Sequence, residues 1–325
     1  MNAPAITPFR PAWWCRSPHC QTLWPHFFRH RPSLALLRER LELPDGDFLD
    51  LAWSGPEHAP LVLMLHGLEG SLRSHYAASL IDALVGAGFR VVFMHFRNCS
   101  SEPNRLPRSY HSGETSDLDW VASLLVSRIG GPLLAAIGFS LGGNALLKWL
   151  GERGDAAPVR TAVAVSVPFL LGEAADRMEQ GWSRLYQWKL VGSLRRSYLR
   201  KLPRLAAQLP VDASELQRLR SFRTFDDRVT APLHGFAGVD DYYARASSRQ
   251  FLRHIRRPTL ILHALDDPFM WPGTVPTPQE LAAAVELETS AHGGHVGFVG
   301  GRWPWRPEYW LDARIVRHIQ AHAAP

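Results

Sequence analysis

Cysteine is the first scarcity. Cys15, Cys20 and Cys99 are the three cysteines in 325 residues, too few for a disulfide framework, and the expected setting is a reducing cytoplasm. No stretch of ~18 consecutive apolar residues occurs, so a membrane-spanning helix is not expected. The opening MNAPAITPFRPAWW lacks a basic segment followed by an apolar run, and no secretory signal is expected either. Charged residues, at 20%, are sparse beside a hydrophobic fraction of 46%, which excludes a disordered chain and allows a sizeable core. Acidic residues are outnumbered, and the formal charge is +6. No nucleic-acid motif accompanies that excess, so no nucleic-acid partner is expected. Part of the excess is local: seven basic residues from Arg184 to Arg204 stand in a stretch, Gln180 to Val211, without one Asp or Glu.

What is present is an alternation of strand and helix patterns. Residues 1–37, rich in Pro, Trp, Phe and His, show no clean period and are expected to be an irregular, aromatic-anchored N-terminal extension. Residues 38–54 alternate apolar with polar around Pro44-Asp45-Gly46-Asp47, a hairpin signal. LVLMLH (61–66), RVVFMHF (90–96), PLLAAIGF (132–139) and VRTAVAVSVP (159–168) are continuous apolar runs, the mark of strands buried on both faces. Helical spacing fills the gaps at 75–89, 116–131 and 141–154. The alternation stops over 169–256, which carries helical patterns only, and resumes with PTLILHAL (258–265), AVELETSA (284–291) and a closing helix at 309–323. This order predicts a mostly parallel sheet flanked by helices, with a core of 38–168 and 257–325 and a helical cap insertion at 169–256.

Gly138-Phe139-Ser140-Leu141-Gly142 matches G-x-S-x-G between a buried strand and a helix, the context of a nucleophile elbow and of the α/β-hydrolase fold. The bare pattern is common; the strand–turn–helix context makes Ser140 the candidate nucleophile, against the plainer reading of a serine N-cap. His66-Gly67-Leu68-Glu69-Gly70 follows the 61–66 strand, where this fold draws one oxyanion donor. The expected pair is the backbone N–H of Leu68 and of Leu141.

A serine nucleophile needs a base, and the base an orienting acid, in the chain order Ser, Asp or Glu, His. Asp266 and Asp267 both follow the 258–265 strand. Asp267, three residues past Ala264, is the preferred acid and Asp266 the alternative. Asp240-Asp241 lies in the insertion and is discounted. His295, in HGGHVGF after the last strand, is the preferred base, with His292 in reserve among 15 histidines. Cys15, His19, Cys20, His26 and His30 do not space as a zinc finger, and no metal or cofactor is expected. The segment 181–202 reads as a basic amphipathic helix or pair, either a cap helix with a solvated basic face or a peripheral contact with anionic membrane.

Several longer segments are uncommon: His19-Cys20-Gln21-Thr22-Leu23-Trp24-Pro25, HGLEGS (66–71), RSYHSGETSDL (108–118), GFSLGGN (138–144), FDD…TAPLHGF (225–236), DDPFM (266–270) and HGGHVGF (292–298). Together they resemble the YheT-like branch of the α/β-hydrolases, AB hydrolase family 4, along nearly the whole chain. The resemblance implies a charge-relay triad at Ser140, Asp267 and His295 and esterase activity on carboxylic esters, lipid esters for some relatives. One position departs: Arg97-Asn98-Cys99-Ser100-Ser101 carries Asn98 where the resemblance expects glycine. Asparagine tolerates a left-handed backbone, so the turn is expected to persist.

The expected function is metal-independent hydrolysis of a small-molecule carboxylic ester through an acyl-enzyme. Acyl transfer or thioester cleavage would use the same triad. A ligand-binding protein on a hydrolase fold is the alternative from another class, and a complete triad argues against it.

Overall fold

The computed structural model describes residues 8–323. The hairpin signal gives β1 (Leu37–Glu42) and β2 (Phe48–Ser54), antiparallel and in register from Leu37–Trp53 to Glu42–Phe48. The apolar runs give β3 (Leu61–Leu65), β4 (Arg90–Met94), β5 (Leu133–Phe139), β6 (Val159–Val165), β7 (Thr259–Ala264) and β8 (Val285–Ser290). They form one eight-stranded sheet in the order β1-β2-β4-β3-β5-β6-β7-β8. β2 meets β4 antiparallel, and the pairs from β4 to β8 are parallel. Every residue of β3, β5 and β7 is buried, because helices cover both faces of the sheet centre. At the edge, β1 reads Leu-Arg-Glu-Arg-Leu-Glu and is mostly exposed, its charges discouraging further strand pairing.

Two apolar clusters fill the two faces. One joins α3 (Ser116–Ile129) and α4 (Leu141–Arg153) to the sheet through Leu118, Leu125, Leu147 and Trp149. The other joins α2 (Ala77–Gly86) and the closing helix Trp310–Ala321 through Leu80, Leu84, Leu311 and Ile315. Between β6 and β7 no strand occurs. The chain runs instead through α5 (Leu171–Met178), α6 (Ser183–Leu199) and shorter helices up to Ser248–His254.

The N-terminal segment departs from the sequence expectation. It holds an eleven-residue helix, α1 (Pro18–Phe28), started by Pro18 and carrying Pro25 inside. Two prolines and a lack of clean periodicity hid it. Cys15 and Cys20, with Cα atoms 5.5 Å apart, are bridged by a disulfide. The sequence reading, which saw no framework, did not anticipate this single short-range pair. A small hairpin, β9 (Val299–Trp303) with β10 (Arg306–Tyr309), was also not expected.

Two basic groups serve as internal ties. Arg97, just past β4, is 2% exposed and binds Asp117 through two bonds of 2.7 Å, Asp47 at 3.1 Å and Asp45 at 2.8 Å. The hairpin turn, the sheet and α3 are thereby joined. Lys201, 1% exposed, donates to the carbonyls of Leu106, Pro107 and Arg108 at 2.7, 3.1 and 2.6 Å. Arg200 reaches the Asn98 carbonyl and Arg204 that of Pro103. Three of the seven basic residues are thus tied to the 98–108 segment, but of the seven only Lys201 is buried, and Arg184, Lys189, Arg196, Arg200 and Arg204 remain exposed. Asn98 has φ 68°, so asparagine does adopt the left-handed turn.

Candidate active site

β5 ends at Phe139 and α4 begins at Leu141, so Ser140 is the single residue of the turn. Its backbone is strained, at φ 52° and ψ −118°. Absent side chains permit the turn: a Cβ on Gly138 would strike the Gly142 carbonyl, and one on Gly142 the His66 carbonyl. The Ser140 N–H donates to the Val165 carbonyl at 2.8 Å, and its carbonyl accepts from Asn144 N–H at 3.0 Å. The side chain is left pointing out of the turn, ahead of the positive end of α4.

Ser140 Oγ lies 3.0 Å from His295 Nε2, and His295 Nδ1 lies 2.8 Å from Asp267 Oδ2. An ionised carboxylate only accepts, so Nδ1 carries the ring proton and Nε2 faces the serine hydroxyl as an acceptor. The Asp267 side chain is 1% exposed and that of His295 11%. Asp267 Oδ1 accepts from Phe269 N–H at 2.9 Å, and the Phe269 ring stacks on the imidazole at 4.0 Å. The Asp267 N–H bonds the Ala264 carbonyl at 3.1 Å, the tight turn that brings this residue under the histidine.

The two reserve residues meet each other instead. Asp266 accepts from Gly294 N–H at 2.9 Å and lies 3.2 Å from His292 Nδ1. Burial raises its pKa above the usual carboxylate value. Asp240 and Asp241 lie on the helix Val239–Ala246, where Asp240 pairs with Arg223 and Asp241 accepts from Ala237 N–H.

The loop after β3 rests on Ser140. A Cβ on Gly67 would come 3.2 Å from the Ser140 Cβ. Tyr76 Oη accepts from Gly67 N–H at 2.9 Å, while its ring stacks on Phe139 at 4.0 Å. His66 is fully buried: Nδ1–H donates to the Gly67 carbonyl at 2.7 Å and Nε2 accepts from Phe96 N–H at 3.1 Å. Burial pushes its pKa down to about 3, so the ring is neutral and its tautomer fixed. The N–H groups of Leu68 and Leu141 donate to no protein acceptor among the described residues. Glu69, at φ 52°, bridges this loop to α6: Oε2 accepts from Ser193 Oγ at 2.9 Å and Ser197 Oγ at 2.6 Å, and Oε1 from Tyr110 Oη at 3.2 Å.

Sequence reasoning missed the residues that hold the histidine loop. Thr22 Oγ1 accepts from His295 N–H at 3.0 Å and donates to the Pro18 carbonyl at 2.7 Å. Gln21 clasps Val299 from both sides, accepting from its N–H at 2.6 Å and donating to its carbonyl at 2.9 Å. Ser166 Oγ accepts from Val296 N–H at 3.0 Å. The signal was the Gln21-Thr22 pair inside the His19–Pro25 segment, which reads as aromatic packing until the helix is seen.

A cavity of about 470 Å³ opens over the site. Gly67, Leu68, Ser140, Leu141 and His295 form part of its lining, and Met178, Tyr186, Leu190, Leu194 and Phe225 come from the helices between β6 and β7. Two groupings bear on metal binding. Cys15 and Cys20 are bonded to each other, so neither offers a thiolate beside His19, His26 and His30. His111, Glu114 and His234 place ligand atoms within 4.8 Å of one another. That set suits a cation poorly. His111 Nδ1 accepts from Gly113 N–H, which puts the ring proton on Nε2, and Glu114 is paired with Arg108 at 2.6 Å.

Residues 60–301 match the family described as alpha/beta hydrolase fold. The chain belongs to that family, in agreement with the parallel sheet and the strand–turn–helix around Ser140. Within it, the chain belongs to the YheT-like branch: it is 46% identical over 301 residues to Putative esterase YheT of Escherichia coli (strain K12), covering 91% of this chain and 88% of that protein. It is 30% identical over 335 residues to Phospholipase ABHD3 of Mus musculus, covering 98% and 80%. The solved esterase Pf2001 of Pyrococcus furiosus has the same fold, with a TM-score of 0.57 at 16% identity over 100% of both chains. The chain is an α/β-hydrolase of the esterase and lipase type.

Proposed function

We propose that this protein hydrolyses carboxylic esters with apolar acyl groups through an acyl-enzyme on Ser140. The observation that carries the reading is the chain of two hydrogen bonds from Ser140 Oγ to His295 at 3.0 Å and from His295 to Asp267 at 2.8 Å, set at the cavity. Ser140 Oγ attacks the ester carbonyl while its proton passes to His295 Nε2. Asp267 stabilises the imidazolium that forms. The oxyanion takes hydrogen bonds from the Leu68 and Leu141 N–H groups. The tetrahedral centre collapses, the C–O bond to the alcohol breaks, and His295 returns the proton to the leaving oxygen. Water, deprotonated by His295, then attacks the acyl-enzyme and frees the acid and Ser140. No metal or cofactor enters this cycle, so turnover is expected to survive EDTA.

The helices of 169–256 act as a cap in this reading. They contribute the apolar side of the cavity and shield the acyl-enzyme from bulk water. Ester lipids, as well as short esters, fit a cavity with such a lining. The test is Ser140→Ala assayed on p-nitrophenyl esters of graded chain length. Turnover is expected to vanish down to the residual ~10³–10⁴-fold over water that binding and an oxyanion hole alone retain. A folded variant turning over near the wild-type rate would sink the assignment.

A further inference from the structure

Two stretches of this chain, 1–38 and 180–211, contain no Asp or Glu. The fold sets part of each at the cavity mouth. α1 and α6 lie side by side there, with His19 Nδ1 3.0 Å from the Tyr186 hydroxyl and Lys189 Nζ 3.4 Å from His26 Nε2. Leu23 and His26 from α1, and Tyr186 and Lys189 from α6, belong to the cavity lining.

The outer sides of the same two helices are apolar and exposed. Trp182, Leu185 and Trp188, spaced three apart at the start of α6, are 73%, 58% and 76% exposed. Phe27 and Phe28, at the end of α1, are 67% and 64% exposed. Single exposed apolar residues are ordinary, but several large aromatics on two helices that both line one cavity are not. The exposed charges interleaved with them are basic: Arg16, Arg31, Arg184 and Lys189. Tryptophan and phenylalanine beside lysine and arginine, with no Asp or Glu in either stretch, is the chemistry of a surface that enters the headgroup region of an anionic bilayer. A second copy of the chain is a poor occupant, since a two-fold contact would press the cationic face against itself.

We propose that the outer faces of α1 and α6 dock this protein on an anionic phospholipid bilayer, with the cavity mouth turned toward the lipid. This places the contact on Trp182, Trp188, Phe27 and Arg184 rather than on Arg200 and Lys201, which bind backbone carbonyls of the 98–108 segment. The docking claim stands apart from the hydrolase reading, and rests on it only for the purpose of bringing an ester lipid to Ser140.

The experiment is flotation of the full chain with vesicles of phosphatidylcholine alone and of phosphatidylcholine mixed equally with phosphatidylglycerol. Turnover of a soluble short-chain ester is read on the same samples. Wild type is expected on the anionic vesicles at low salt, with binding weakened by added salt. Trp182→Ser with Trp188→Ser, and separately Phe27→Ser with Arg184→Glu, are expected to lower the bound fraction by about tenfold or more and to leave soluble-ester turnover unchanged. None of these four residues lines the cavity, so the two readouts separate. Binding without turnover would retain the docking surface and remove the hydrolase reading; turnover without binding would do the reverse. The proposal is overturned if wild type ignores anionic vesicles at low salt, if both double variants bind as wild type does, or if the tryptophan variant instead dissolves a wild-type dimer in sedimentation.

Discussion

Thr22→Val isolates the contribution of α1 to the active site. Valine keeps the shape of threonine and removes one oxygen, which accepts the His295 N–H at 3.0 Å and donates to the Pro18 carbonyl at 2.7 Å. Thr22 is 9% exposed, so water does not readily replace that oxygen. Leaving a buried N–H without an acceptor costs about 1–3 kcal/mol. The His295 N–H sits in the loop that aligns the imidazole, so the cost falls on the aligned conformation. At about tenfold per 1.4 kcal/mol, it lowers the aligned population, and with it kcat, by about fivefold to about 150-fold. KM for a short ester should move little, because the substituted atom faces the histidine loop. Thr22→Ser restores the oxygen and should restore the rate. The assay is steady-state turnover of p-nitrophenyl butyrate with kcat and KM resolved, with urea unfolding as a check on folding. A folded Thr22→Val protein within about twofold of wild-type kcat would refute the reasoning, because an unpaired buried N–H of this kind should cost more than that.

Other consequences follow from neighbouring contacts. Asp267→Asn should lower kcat by ~10⁴-fold, as loss of the orienting carboxylate does in a serine protease triad; Asp266→Asn, whose partners are Gly294 and His292, should stay within about tenfold in the same ester assay, since it leaves the imidazole's own partner in place. Glu69→Ala breaks the bonds from Ser193, Ser197 and Tyr110, and should reduce kcat/KM for long-chain esters more than for acetate; a uniform loss across chain lengths would show that the bridge between the loop after β3 and α6 does not shape acyl preference. The protein should lose stability on acidification, because burial holds His66 at about 3 and His263 at about 4 against an ordinary 6.5. Between those values the unfolded chain binds more protons than the folded one, so this stability is complete above pH 6.5 and falls as pH drops toward 4, by up to ~1.4 kcal/mol per pH unit for each histidine. Urea unfolding at several pH values through that window measures the slope, and a flat profile would contradict it.

The sheet was legible because its central strands are buried on both faces and so appear as unbroken apolar runs. Leu61–Leu65, Leu133–Phe139 and Thr259–Ala264 each fall inside the run that predicted them. The strand–turn–helix around Ser140 was legible because that turn demands glycine on both sides. The placement of Asp267 against His295 was legible through register, since the turn closing on Ala264 fixes which of two adjacent carboxylates points at the imidazole. The brace on the histidine loop was not legible. Its bonds join residues 273 and 278 positions apart in the chain, and no local pattern encodes such a pairing. The role of Lys201 was hidden for a related reason. A lysine in a basic run reads as solvated unless a distant segment supplies acceptors, and three backbone carbonyls at 106–108 do so.

Every proposed step depends on Ser140 acting as the nucleophile, activated by His295. The most direct test of that role is peptide mass spectrometry of the native protein after reaction with a fluorophosphonate. One stoichiometric phosphonyl adduct is expected, on the peptide bearing Ser140, formed in step with loss of esterase activity and absent from Ser140→Ala and from heat-unfolded protein. An adduct on another residue, or full loss of activity with Ser140 unmodified, would contradict it.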